Sequence, residues 1–379
     1  HFTLIDLGCG DAIGLLLTAA SHPEGRFVGV DAMPAHIERG QELCDRLGLT
    51  NVTLHCAGFA DCGGLADGKA DYVTAHGVLA WVSEANRSAL MNLASNWLRP
   101  GGALMLSYNS WPGWSRIAPF QAMIRAIAMA LEGSSSDRFR RALAIAKDSG
   151  TLEPEVLEWV EEKLPQFEPT YFAHEYLNAH WRPCWSGEVI AAMAEYGLGY
   201  VGQISGARLR PDLALKSDWR TEIARLPGLP AREIAADIFA GTWFRRDLYM
   251  KPPARTFATA DELAAARLDG WWGLSEDPTE ELSMHAETPA GSVDFDNPAA
   301  RAILASLARG PVALAEIANA SSIGVGDLAN SCDALWIAGK IIPLNPPGDA
   351  ARATAANAAL RNAGVRINGE ASAWGARSA

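Results

Sequence analysis

The chain has 379 residues, 49% of them hydrophobic, which is enough for two domains and a sizeable core. Its 32 basic and 44 acidic side chains give a net charge of −12, which disfavours nonspecific nucleic-acid binding and weakly suits a basic peptide partner. The six cysteines (Cys9, Cys44, Cys56, Cys62, Cys184, Cys332) form no C-x-x-C pair, so a metal site or disulfide framework is not expected and a reducing cytoplasm fits best. No apolar run approaches the roughly 20 residues of a membrane span, and no signal peptide is visible.

Phe2 to Leu7 is a short apolar run of the kind that forms a buried parallel strand. Gly8 and Gly10 permit a sharp turn with close backbone approach, and Leu15 to Ala20 continue as an apolar helix. Strand, glycine turn and helix N-terminus make a nucleotide-type cradle, although a bare G-x-G also fits an ordinary strand-to-helix turn. Arg26 to Asp31 adds a second buried strand ending in a carboxylate, where a ribose diol is usually held. A dinucleotide fingerprint needs its third glycine three residues after the second; Ile13 stands there, and the glycine follows at Gly14. The chain opens on His1, not Met, almost directly in this first strand, so an upstream segment is expected.

Pro34 to Leu47 reads as a helix and Val52 to His55 as a third strand. Gly58-Phe59-Ala60-Asp61 follows, then a fourth strand over Ala70 to Ala75 running into the loop His76-Gly77-Val78-Leu79-Ala80-Trp81-Val82. Glu84 to Leu98 is a helix that Arg99-Pro100-Gly101-Gly102 should stop; Ala103 to Tyr108 is the fifth strand, leaving through Asn109-Ser110-Trp111-Pro112-Gly113-Trp114. From Ile117 to about Gln166 the apolar residues recur at three- and four-residue spacing, a helical block. Ser186 to Tyr196 (helix), Tyr200 to Ile204 (strand) and Trp243 to Met250 (strand) resume the sheet pattern, so residues 115–183 read as a helical insertion. Past a linker at Lys251-Pro252-Pro253, three helices over 299–307, 313–319 and 325–338 precede a strand over 340–344, a winged-helix-like order. Few Lys or Arg lie in its recognition-helix position, so packing or partner binding fits better than DNA. Residues 346–379, poor in large apolar side chains, are expected to be a flexible tail.

With Asp6 ahead of the glycine turn, the first motif resembles that of class I S-adenosylmethionine-dependent methyltransferases. Together, Asp6-Leu-Gly-Cys-Gly10, His76-Gly-Val-Leu-Ala-Trp-Val82 and Tyr108-Asn-Ser-Trp-Pro-Gly-Trp114 resemble bacterial methyltransferases carrying a methyltransferase regulatory domain. That group includes rickettsial protein-lysine methyltransferases acting on outer-membrane proteins. The resemblance implies an α/β fold with a Rossmann-like seven-stranded sheet over 1–252, a regulatory region over about 166–250 and a C-terminal domain over 253–345. It implies S-adenosylmethionine as cofactor, held by Asp6, Gly8, Cys9, Gly10, Asp31, Ala32, Phe59, Ala60, Asp61, His76 and Gly77. Phe59 would cover the adenine ring and Asp61 would meet its exocyclic amine.

Trp81, Tyr108, Trp111 and Trp114 would line the channel to the sulfonium, where ring faces attract cationic nitrogen and an apolar site lowers an amine's pKa. Tyr108 and Asn109 can hydrogen-bond the amine. His76 is a candidate base, weighed against a loop histidine satisfied by backbone. Tyr108, Trp81 and His76 are therefore the catalytic candidates, and Trp81, Asn109, Trp111 and Trp114 the substrate-binding ones. The leading function is methyl transfer to lysine amines of a protein, with the oligomeric state open and a dimer among the options; a small-molecule methyltransferase and a noncatalytic cofactor-binding protein are the alternatives. An open acidic groove would favour the peptide acceptor, and a closed apolar pocket the small molecule.

Overall fold

The computed structural model describes residues 1–64, 69–163, 169–204, 210–253, 259–275, 284–288, 290–294, 296–365, 369–372 and 375–378. Seven strands form one sheet: β1 (Phe2–Leu7), β2 (Gly25–Asp31), β3 (Val52–Cys56), β4 (Ala70–Ala75), β5 (Leu98–Asn109), β6 (Gly199–Gln203) and β7 (Phe244–Met250). Their spatial order is β3-β2-β1-β4-β5-β7-β6, parallel through β5, with β7 antiparallel to both its neighbours. The central strands read as continuous apolar runs because both faces are covered: Ile5, Leu7, Val30, Val73, Leu104 and Leu106 are all fully buried. The order reverses direction between β1 and β4, which opens a crevice at their carboxyl ends.

Helix α1 (Ile13–Ser21) follows β1, α2 (Pro34–Arg46) follows β2, and α3 (Glu84–Trp97) follows β4; Ser83 caps α3 by accepting the Asn86 N–H at 3.3 Å. Arg99 to Gly102 does not separate α3 from the next strand. β5 begins at Leu98, paired with Ala70, and the register shifts between Ala70 and Tyr72. That irregularity accommodates Pro100, while the Gly101 N–H donates to the Lys251 carbonyl and the Lys251 N–H to that of Gly102. The expected linker is also anchored at its first residue, since Lys251 Nζ donates to the Ser95 and Leu98 carbonyls at the end of α3.

Between β5 and the returning helix α8 (Ser186–Glu195) stand α4 (Ala118–Met129), α5 (Ser135–Asp148), α6 (Pro154–Lys163) and α7 (Pro169–Leu177). They close on their own core of Ile117, Phe120, Ile124, Phe139, Phe172 and Tyr176. Behind the sheet, the fully buried Arg245 of β7 donates to Asp247 at 2.9 Å, to both oxygens of Asp237 at 2.8 Å, and to Tyr200 and Glu233. One guanidinium thus ties β7, β6 and the helix Gly228–Ala240 together.

The helices Pro298–Leu307, Leu314–Ala320 and Val325–Ile337 and the strand Ile341–Leu344 follow the expected order. That strand and Val312–Ala313 flank Trp271–Leu274 in a three-stranded antiparallel sheet. The end of the chain corrects the expectation of a flexible tail. Ala350–Asn362 is a helix whose Ala353, Ala356 and Leu360 are buried in one cluster with Leu16, Ala19 and Ala20 of α1. Small side chains let the two helices approach closely, so burial here needs no large apolar residues. The Asp349 N–H fixes the entry by donating to the Ser21 carbonyl at 2.8 Å.

Candidate active site

The glycine turn leaves β1 with Gly8 at φ 76° and Gly10 at φ 55°, both in the left-handed region. Gly8 and Cys9 donate their N–H groups to the Val30 carbonyl at 2.7 and 3.0 Å, drawing the turn against β2. A Cβ on Gly8 would meet Val78 Cγ2 at 2.5 Å, so glycine there is imposed by the protein itself. A Cβ on Gly10 would meet nothing within 4 Å, so at Gly10 the backbone faces open space.

Two carboxylates flank that space. Asp31 accepts the Gly10 N–H at 3.0 Å on one oxygen, and the Met33 N–H at 2.9 Å and His36 Nδ1 at 3.2 Å on the other. Asp6 accepts the Thr74 hydroxyl at 2.7 Å, and burial pushes its pKa up to about 6, against the pull of that bond and with a further rise from Asp31. The Cys9 thiol is raised by burial and by the carboxylates of Asp6, Asp31 and Asp11, and stays protonated. Among the described residues no Lys or Arg pairs with Asp6 or Asp31. The cradle is therefore acidic, hostile to a pyrophosphate and suited to a ribose diol beside a cation. Ala32 and the 3-10 turn Phe59–Asp61 continue its rim; Phe59 leans half-buried on the core, while Ala60 and Asp61 are exposed.

Beyond the carboxyl ends of β4 and β5 lies a cavity of about 580 Å³. His76, Gly77 and Trp81 line it from the β4 side, and Asn109 and Trp114 from β5. His76 is held by a side chain, not by backbone: Ser107 Oγ lies 2.9 Å from Nδ1 and also accepts the Gly77 N–H at 2.8 Å. Partial burial and the Arg246 charge lower the His76 pKa, so the ring is neutral at pH 7. Trp114 packs edge-on against Trp181 and Trp243 and donates its indole N–H to the Trp243 carbonyl at 3.0 Å.

Two sequence candidates are not in this cavity. Tyr108 is fully buried on the opposite face of β5, its hydroxyl donating to Asp247 at 2.6 Å in the Arg245 network. Burial, with Asp247 beside it, drives its pKa far up, so it serves neither as base nor as amine ligand. Trp111 turns away to pack on Trp185, with ring centroids 6.4 Å apart. The structure brings in others instead: Trp159 and Lys163 from α6, Phe172, Glu175 and Tyr176 from α7, and Trp243 and Phe244 at the start of β7. Their signal was faint but present, because Phe172, Glu175 and Tyr176 sit at i, i+3, i+4 and share one helix face.

An acidic glycine cradle at a switch point, opening beside an aromatic cavity, defines a class I S-adenosylmethionine-dependent methyltransferase site. The methyltransferase domain family matches residues 1–149 of the chain, and the predicted methyltransferase regulatory domain family matches residues 168–251. An uncharacterized protein of Synechocystis sp. is 25% identical over 84% of this chain, which spans 63% of that relative's length. An uncharacterized protein of Rickettsia prowazekii is 29% identical over 46% of this chain and 72% of its own. Among solved structures, PKMT2 from Rickettsia typhi in complex with AdoHcy superposes with a TM-score of 0.67, at 20% identity over 90% of this chain and 71% of that one. The likeness is one of fold, and it extends past the sheet into the C-terminal part. No helix among the described residues is long and apolar enough to cross a membrane.

Proposed function

We propose that this chain methylates the lysine amines of a protein substrate. The observation that carries the amine acceptor is the cavity at the exits of β4 and β5, walled by Trp81, Trp114, Trp159 and Trp243 and holding one buried carboxylate, Glu175. The bound cofactor supplies an electrophilic methyl group on a sulfonium. The chain's own part is positional: Gly8 and Gly10 shape the cradle, and Asp31 offers oxygens to a ribose diol. The ring faces draw in a cationic amine and exclude water, which favours its neutral, nucleophilic form. Holding the two reactants in line supplies most of the rate, and no strong base is required. The likeness to rickettsial methyltransferases of this group supports a protein acceptor.

A small-molecule amine is the second reading, favoured by the cavity's volume and apolar lining, which suit a compact ligand better than an open acidic groove would. Incubation of the protein with labelled S-adenosylmethionine and separate protein and metabolite fractions of a lysate decides between them. Label in protein, with methyl-lysine identified by mass spectrometry, is expected. Label confined to the metabolite fraction would replace the lead reading by the second.

A further inference from the structure

Glu175 sits on α7 with 8% of its surface exposed and lines the aromatic cavity. Among the described residues no arginine, lysine or histidine forms an ion pair with it. Lys163, on the same cavity wall, is turned to Glu162 at 3.1 Å. What faces the carboxylate are two neutral donors, the Asn109 amide and the Trp181 indole N–H, which moderate the rise that burial imposes on its pKa, to about 7. Asn109 Nδ2 and Trp181 Nε1 are themselves buried without a geometrically complete hydrogen bond. A carboxylate so enclosed is costly to keep charged, and proteins retain such groups where a ligand completes them.

We infer that Glu175 is the residue that receives the acceptor's ammonium group, pairing with the cation inside the aromatic walls and then taking one of its protons. The inference rests on the amine-acceptor reading above and adds to it the group that recognises the amine. Three features of the cavity fit an alkylammonium: ring faces for the charge, apolar surface for the methylene stem, and one anion at the end. Transfer of one N–H proton to the carboxylate leaves a neutral amine with its lone pair free and a neutral carboxyl, so no charge stays buried. With a pKa near 7, Glu175 accepts that proton far more readily than an exposed glutamate would.

The test is calorimetric binding of n-butylammonium and of its neutral counterpart 1-butanol to the full chain saturated with AdoHcy. Wild type should prefer the ammonium by at least about tenfold, and Glu175→Gln should lose that preference while keeping its AdoHcy affinity. Removing a buried charge that no cation pairs relieves the unliganded protein, so Glu175→Gln, whose amide oxygen still accepts from Asn109 and Trp181, should melt at or above the wild-type temperature. A structural role would instead lower the melting temperature of Glu175→Gln as well as that of Glu175→Met, which strands both donors. Retained ammonium preference in Glu175→Gln, or unfolding of both variants, overturns the assignment of Glu175 and leaves the amine acceptor standing. Equal binding of ammonium and alcohol by wild type, with label transferred only to neutral metabolites, overturns the amine acceptor itself.

Discussion

The cradle and the cavity are built on opposite plans. The cradle comes from short contiguous stretches at the ends of adjacent strands, and its shape is set by backbone: two positive-φ glycines and N–H groups donated to Val30 and Asp31. The cavity is assembled from side chains more than a hundred residues apart in sequence, from His76 to Phe244. A site made of backbone tolerates little variation, since its geometry has few solutions. A site made of side chains can be refitted to another acceptor while the cofactor half stays the same.

Gly10→Ala breaks the comparison most sharply. Its Cβ enters open cradle and strains a left-handed residue by about 1–2 kcal/mol. AdoHcy affinity measured by calorimetry should fall on the order of a hundredfold, with alkylamine binding preserved. Comparable losses at both sites would mean that the two halves are not independent.

Asp6→Asn comes next and reads the cradle through stability. The folded-state pKa of Asp6, about 6, lies above the ordinary aspartate value of 3.8. The protonated form is thus the favoured one, and its contribution is complete below about pH 4 and lost as pH rises through 6. Asparagine keeps the acceptor for Thr74 and removes the charge, so the variant should be more stable than wild type by about 2 kcal/mol at pH 8 and equal to it near pH 4. Thermal melts across that range check it, and a variant less stable at pH 8 would show that Asp6 is stabilised by an interaction outside this account.

Asp31→Ala should weaken AdoHcy binding by at least about tenfold through the lost ribose hydrogen bonds, again leaving the cavity alone. The smallest effects separate an aromatic residue that only the structure brings to the cavity from one that the sequence placed there. Trp159→Ala should raise the acceptor KM by about fivefold at unchanged AdoHcy affinity. Tyr108→Phe should leave the acceptor KM within about twofold and lower only the melting temperature, because the hydroxyl it loses serves Asp247. An acceptor-specific defect in Tyr108→Phe would restore it to the site.

That pair also shows what a sequence can and cannot carry. Asp6, Gly8, Gly10 and Asp31 stand out in the sequence because the feature they form is local, a turn and a strand end fixed within a few residues. The seven strands were legible from apolar runs and turn residues, and only β5 was misbounded by more than one residue, since Leu98 pairs with Ala70 ahead of the expected stop. Tyr108 was misplaced by one consequence of that strand. β5 runs through Asn109, so alternation sends Ser107 and Asn109 toward the cavity and Tyr108 to the other face. Glu175 was missed because its one local mark is the helix face it shares with Phe172 and Tyr176; its meaning depends on α7 laying it beside residues from β5, and that is a tertiary fact.

The helix Ala350–Asn362 gives the molecule a kinetic character. It packs on α1, which leaves directly from the glycine turn, so the core behind the cradle is closed by residues more than 330 positions downstream. At roughly 5–20 residues per second of synthesis, α1 waits on the order of tens of seconds for its partner, with Leu16, Ala19 and Ala20 lacking their cover. The nucleotide half, made well before its cover, is therefore among the last parts to be finished. A nascent chain arrested before residue 350 should capture AdoHcy poorly even though every residue of the cradle has already left the ribosome.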